Sequence, residues 1–207
     1  MDVVLALAIA YLLGSIPFAY LAGRARGIDL RTVGSGNLGA ANVFRALGKS
    51  WGIAVMAADI GKGVLAVVLA RILVDDPWPA VAAGAAMAGH VFPVWLRFKG
   101  GKGVAVGGGA VIGLMPLAAL LLLAFWAIVL VTTRYSSLAS ILAALAATPV
   151  VWALGYAPSK VIFVAIGSAA VLVLHRGNMV RLAQGRENRI SFGRRPPSPG
   201  SEPRSPA

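Results

Sequence analysis

Lys99, Gly100, Gly101, Lys102 and Gly103 follow one another at the end of a stretch, HVFPVWLRFKGGKG (90–103), that interrupts two apolar runs. Glycine lets a backbone N–H approach a ligand closely, and lysine supplies positive charge. That pairing suits a phosphate: Lys99 and Lys102 neutralise an anion while Gly100, Gly101 and Gly103 expose amides. The plainer alternative is a basic interfacial turn reaching lipid headgroups. It is not a nucleotide-binding Walker A loop. GxxxxGK[ST] needs glycine where Leu96 stands and serine or threonine where Gly103 stands.

Two further segments have the same character. In GSGNLGAANVFR (34–45), Ser35 and Asn37 lie in a glycine-rich turn, and Asn42 and Arg45 follow at helical spacing. Ser35, Asn37 and nearby amides can donate to phosphate oxygens, and Arg45 can grip one bidentately. The alternative is a tight turn and nothing more. In HRGNMVRLAQGRE (175–187), His175, Asn178 and Arg181 share a helix face one turn apart. His175 suits a base or a phosphate donor, or else an anchor at a helix end. Asp59 and Lys62 stand three residues apart inside an apolar run. Charges in a membrane are costly, and an i,i+3 ion pair that braces the site is the expected use. His90 precedes Pro93 and reads as structural.

The elements that position these groups are apolar. Of 207 residues 58% are hydrophobic and 13% charged, against roughly 25% charged in soluble domains. The mean hydropathy is +0.82. The chain is read as an all-α integral membrane protein. With no cysteine, disulfides and thiolate catalysis are excluded. The two histidines and seven acids form no recognisable metal motif, so neither metal nor cofactor is expected. The net charge of +12 concentrates in the polar segments. The positive-inside rule accounts for most of it.

Apolar stretches run near 3–22, 51–74, 78–96, 104–133, 137–155 and 159–174. The first is followed, not preceded, by arginines, so it reads as a retained span with the N-terminus outside. Residues 104–133 would extend about 45 Å as one helix, too long for an ordinary crossing. A turn near Gly113–Pro116 makes two crossings and keeps the arginine-rich C-terminus inside with the other basic segments. The expectation is therefore seven transmembrane helices, N-terminus outside and C-terminus cytoplasmic, with a short fourth span near 104–115. Residues 1–190 form one domain, and 191–207, rich in proline and serine, are expected to be a disordered cytoplasmic tail.

On GSGNLGAANVFR, the DIGKG patch (59–63), GHVFPVWLRFKGGKGVA (89–105) and HRGNMVRLAQGRE, the chain resembles the bacterial acyl-phosphate:glycerol-3-phosphate acyltransferase family, the PlsY type. The resemblance covers the span region and stops before the tail. It implies a seven-helix enzyme of the bacterial cytoplasmic (inner) membrane whose active site faces the cytoplasm. It implies transfer of a fatty acyl group from acyl phosphate to glycerol 3-phosphate, giving 1-acylglycerol 3-phosphate and phosphate. Ser35, Arg45, Lys102, His175 and Asn178 would line the reaction site. The 99–103 loop would bind glycerol 3-phosphate, and Glu187 would be a structural acid. Both substrates carry about −2 charge, and Arg45, Lys99, Lys102 and Arg176 are available to gather them. Acyl phosphate is already activated, so no covalent enzyme intermediate is required. The His-x4-Asp signature of other glycerolipid acyltransferases is missing, since Trp95 and Val180 occupy the aspartate positions. Either His175 or the substrate's phosphate would take the hydroxyl proton. The expected partners are these substrates and membrane lipids, with no nucleic acid. An organic-phosphate transporter is the competing class. A lipid-binding scaffold is a third.

Overall fold

The computed structural model describes residues 1–191; the tail expected at 191–207 lies outside the described residues apart from its first position. Ten α-helices and no strand occur among those residues: α1 Asp2–Ser15, α2 Phe18–Ala25, α3 Ala40–Leu47, α4 Lys49–Leu73, α5 Trp78–Val91, α6 Val104–Leu114, α7 Pro116–Thr133, α8 Ser136–Ala153, α9 Pro158–Leu174 and α10 Arg176–Ala183.

Proline sets several of the boundaries. The first apolar stretch, expected as one span, is broken at Pro17, which has no N–H and forces Ile16 to an extended ψ of 115°. The 104–133 stretch divides as expected: α6 ends at Leu114, Met115 leaves helical geometry, and Pro116 opens α7.

Five segments are long and apolar enough to cross a membrane alone: 2–25, 49–73, 78–96, 116–133 and 136–153. The pair α9–α10 is a sixth candidate, bent by 54° at His175. The remaining apolar helix, α6, rises only about 16 Å, half the roughly 30 Å hydrocarbon core.

Lipid is as apolar as leucine, so helices in a membrane associate through close packing of small residues. Gly89 of α5 lies against the Tyr11 carbonyl of α1, and Gly14 of α1 against Ala86 of α5. Gly63 of α4 faces Val106 and Ala110 of α6, while Gly109 of α6 faces the Ile60 carbonyl. A Cβ at any of these would strike backbone, and overpacking of this kind costs about 1–3 kcal/mol. The end of the bundle around the α6–α7 break is packed by a cluster that includes Val67, Ala83, Ala110, Met115, Ala118 and Val151, all fully buried. The other half of α7, α8 and α9, towards Leu130, Ser137 and His175, is not closed in this way, and a cavity opens there.

Candidate functional site

Asn42 builds the first polar loop. Its buried amide donates to the Leu30 and Val33 carbonyls, each at 3.1 Å, and its oxygen accepts from the Ser35 N–H at 3.0 Å. Asn42 is thus spent on folding the loop. The fold leaves Ser35 exposed beside α3. From the last turn of α3, Arg45 donates through Nη2 to Ser35 Oγ at 3.4 Å, while its Nε is buried without a partner. A buried donor left unpaired is costly, and a guanidinium in that state can take an anion. Burial works against the Arg45 charge, Glu187 supports it and Arg181 opposes it. Arginine remains a cation regardless.

The glycine loop corrects one expectation. The amides of Gly100 and Gly101 are not presented to a ligand: they donate to the carbonyls of Val91 and His90, at 3.0 and 3.1 Å. These glycines bring the loop flush against the end of α5. A Cβ on Gly101 would meet His90 Nε2. Gly103 has φ of 78°, a left-handed conformation that glycine adopts freely, and it starts α6. The loop's product is the placement of Lys102. Its Nζ, partly buried, donates to Asn178 Oδ1. Burial, with the Arg181 and Arg45 charges nearby, pushes the Lys102 ammonium down to about 8, although Glu187 resists the shift. Lys99 and Arg176 are exposed and do not reach the cavity.

Glu187 organises the third segment. It accepts from Ser137 Oγ at 2.9 Å, Asn178 Nδ2 at 2.7 Å and Arg181 Nε at 2.7 Å. Burial raises this carboxyl, but the three donors and the Arg181 charge outweigh it and hold it below its ordinary range. With Nδ2 held by Glu187, the Asn178 oxygen is the end that faces Lys102. Ser137 is a member that sequence reasoning missed. Its signal was Ser136, Ser137 and Ser140 at helical spacing on an otherwise apolar helix.

The two histidines are fixed in opposite tautomers when neutral. His175 Nδ1 lies 2.8 Å from the Val171 carbonyl, an acceptor only, so Nδ1 carries the proton and Nε2 keeps its lone pair. His90 Nδ1 lies 3.0 Å from Lys62 Nζ, a donor only, so its proton is on Nε2. Lys62 also pairs with Asp59 at 2.9 Å and donates to the Ile16 carbonyl at 2.9 Å. That carbonyl is one that the Pro17 break leaves without a helical partner, and such groups are expensive in lipid. The Asp59–Lys62 pair therefore braces the α1–α2 break, α4 and α5 together behind the glycine loop.

Ser35, Asn37, Arg45, Lys102, Gly103, His175, Asn178 and Glu187 all line one cavity of about 550 Å³. Asp59 and His90 reach its wall as well. Its polar end gathers cations and hydrogen-bonding groups. Its other end is apolar, formed by residues such as Leu122, Trp126, Ala144 and Phe163. The arrangement suits a molecule with an anionic head and an aliphatic tail, with Arg45 and Lys102 set at the head.

The family model described as glycerol-3-phosphate acyltransferase matches residues 4–185. The glycerol-3-phosphate acyltransferase of Geobacter sulfurreducens is 46% identical over 88% of this chain and 95% of its own length. That of Rubrobacter xylanophilus is 45% identical over 90% and 94%. The crystal structure of PlsY (YgiH), an integral membrane glycerol 3-phosphate acyltransferase, in its glycerol 3-phosphate form superposes with a TM-score of 0.88 at 38% identity, covering 92% of this chain and 96% of that one. The lysophosphatidic acid form gives 0.85 at 37% identity, covering 91% and 95%. The family match takes in the first two polar segments and the third as far as Gly185, and the chain belongs to the glycerol-3-phosphate acyltransferase family.

Proposed function

We propose that this chain moves a fatty acyl group from acyl phosphate to the sn-1 hydroxyl of glycerol 3-phosphate. The products are 1-acylglycerol 3-phosphate and inorganic phosphate. The observation that carries the reading is that Arg45, with a buried unpartnered Nε, and Lys102 stand together at the mouth of a cavity whose far end is aliphatic. The relatives' substrate, glycerol 3-phosphate, supplies one anionic head, and a membrane-soluble acyl phosphate supplies the other together with a tail.

In this mechanism the sn-1 oxygen attacks the acyl carbonyl carbon, the carbonyl-to-phosphate C–O bond breaks, and phosphate leaves with the bonding electrons. The hydroxyl proton passes to His175 Nε2 or to a substrate phosphate oxygen. Arg45 and Lys102 bring two dianions together and neutralise the leaving phosphate. Asn178, aimed by Glu187, holds Lys102 in place. Ser35 binds phosphate and is not acylated: among the described residues its Oγ is partnered by Arg45, a donor and not a base. Seven membrane segments, N-terminus outside and C-terminus inside, put the site on the cytoplasmic face of the bacterial inner membrane.

The transporter reading needs a path through the bilayer. The sealed cluster around Met115 and Val151 blocks the cavity on the far side, which favours the enzyme. Purified protein given palmitoyl phosphate should release inorganic phosphate only when glycerol 3-phosphate is present. Glycerol 3-phosphate uptake into proteoliposomes without phosphate release would support the transporter instead.

A further inference from the structure

The cavity lining follows the helix repeat. On α8 it includes Ser136, Ser137, Ser140, Ala143, Ala144 and Ala147, at helical spacing. On α9 it descends from His175 through Val171 and Gly167 to Phe163, and on α7 from Leu130 through Trp126 and Leu122 to Ala119. All three helices stop lining it at a common depth. Ser137 to Ala147, Leu130 to Ala119 and His175 to Phe163 each cover about 15–18 Å of helix axis.

What closes the cavity at that depth is the buried cluster. Ala147, Phe163 and Val164 belong both to the lining and to the cluster, at 8%, 8% and 4% exposed. Behind them Met115, Ala118 and Val151 are 0% exposed and do not reach the cavity. The depth matches one leaflet, half of the roughly 30 Å hydrocarbon core, which is the thickness that one lipid acyl chain covers. The wall supplied by α8 is kept low by Ala143, Ala144 and Ala147, so any larger side chain there takes space from the tail.

We infer that Ala147 and Phe163 form the floor that sets the length of the acyl chain accepted. The inference rests on the acyl-transfer reading above. A chain too long for the cavity must bend or press against this floor, and a close-packed wall gives way only at a cost.

The test compares kcat/KM for dodecanoyl, hexadecanoyl and octadecanoyl phosphate at saturating glycerol 3-phosphate. Ala147→Leu raises the floor and should raise the dodecanoyl-to-hexadecanoyl ratio at least tenfold. Phe163→Ala lowers it and should shift the preference the other way, toward octadecanoyl phosphate. Leu145→Phe, on the lipid-facing side of α8 where Leu145 is 54% exposed, should leave both ratios unchanged. If Ala147→Leu does not fold, Phe163→Ala decides alone. Unchanged ratios in active Ala147→Leu and Phe163→Ala proteins overturn the floor assignment. Failure of the unaltered protein to use any acyl phosphate overturns the functional reading instead.

Discussion

Arg45 and Lys102 carry different burdens although both are cations. Arg45 offers a planar fork, already touching Ser35, with a spare buried Nε. Lysine keeps the charge and loses the fork. Arg45→Lys should therefore cost at least tenfold in turnover with little loss of folded protein, because hydrogen bonds to charged groups are worth roughly 1.5–3 kcal/mol and each 1.4 kcal/mol is tenfold. Arg26→Lys, on an exposed residue, is the control and should be silent. Near-normal turnover by Arg45→Lys would remove Arg45 from the site. Lys102 should set the alkaline limb. On the proposed mechanism its ammonium is the phosphate-binding form, and it is lost as pH rises through about 8, so kcat/KM for glycerol 3-phosphate should fall above that pH. Lys102→Arg, which stays charged, should flatten that limb whatever its maximal rate. A limb unmoved by the substitution would assign it to another group. Residue types made Ser35, Arg45, Lys102 and His175 candidates among several others, because polar groups between apolar runs are few, and it was the family resemblance that implied the reaction-site set with Asn178. Charge alone did not separate Lys102 from Lys99, or Arg45 from Arg176, since all four serve the same topology signal. Only packing tells which of them are buried in the cavity wall.

At the scale of elements, the glycine loop shows where sequence reading stops. GGKG reads as a set of free amides because sequence does not reveal acceptors on another segment. The Val91 and His90 carbonyls at the end of α5 take the Gly100 and Gly101 amides, and the loop becomes a mount for Lys102. Gly101→Ala should then push the loop off the His90 ring and displace Lys102. The expected result is a larger rise in KM for glycerol 3-phosphate than for acyl phosphate. Equal or absent changes in folded protein would detach the loop from the glycerol 3-phosphate head. Helix boundaries were more legible. The division of 104–133 followed from its length and from Pro116. The break at Pro17 was missed because the run of apolar residues is uninterrupted across it, and the Lys62 side chain that satisfies Ile16 comes from a distant helix.

For the whole molecule, composition was sufficient for an all-helical membrane protein, and charge placement gave an orientation. Length and hydropathy support five crossings, or six with the bent α9–α10 pair, and α6 is the segment on which seven depend. Single cysteines at Asp76 and Gln184, probed in intact cells with an impermeant thiol reagent, test the count. Labelling at 76 and protection at 184 is expected from seven segments with the N-terminus outside. Labelling at both positions would overturn the count, since without α6 as a crossing 184 lies outside, and the reverse pattern would overturn the orientation.

The central claim is direct transfer between two substrates held together in one cationic site. Initial rates measured while acyl phosphate and glycerol 3-phosphate are both varied test it most directly. The account predicts intersecting double-reciprocal lines, one phosphate released per 1-acylglycerol 3-phosphate formed, and no acylated protein by intact mass when glycerol 3-phosphate is withheld. Parallel lines, with an acyl group on Ser35 under those conditions, would contradict it.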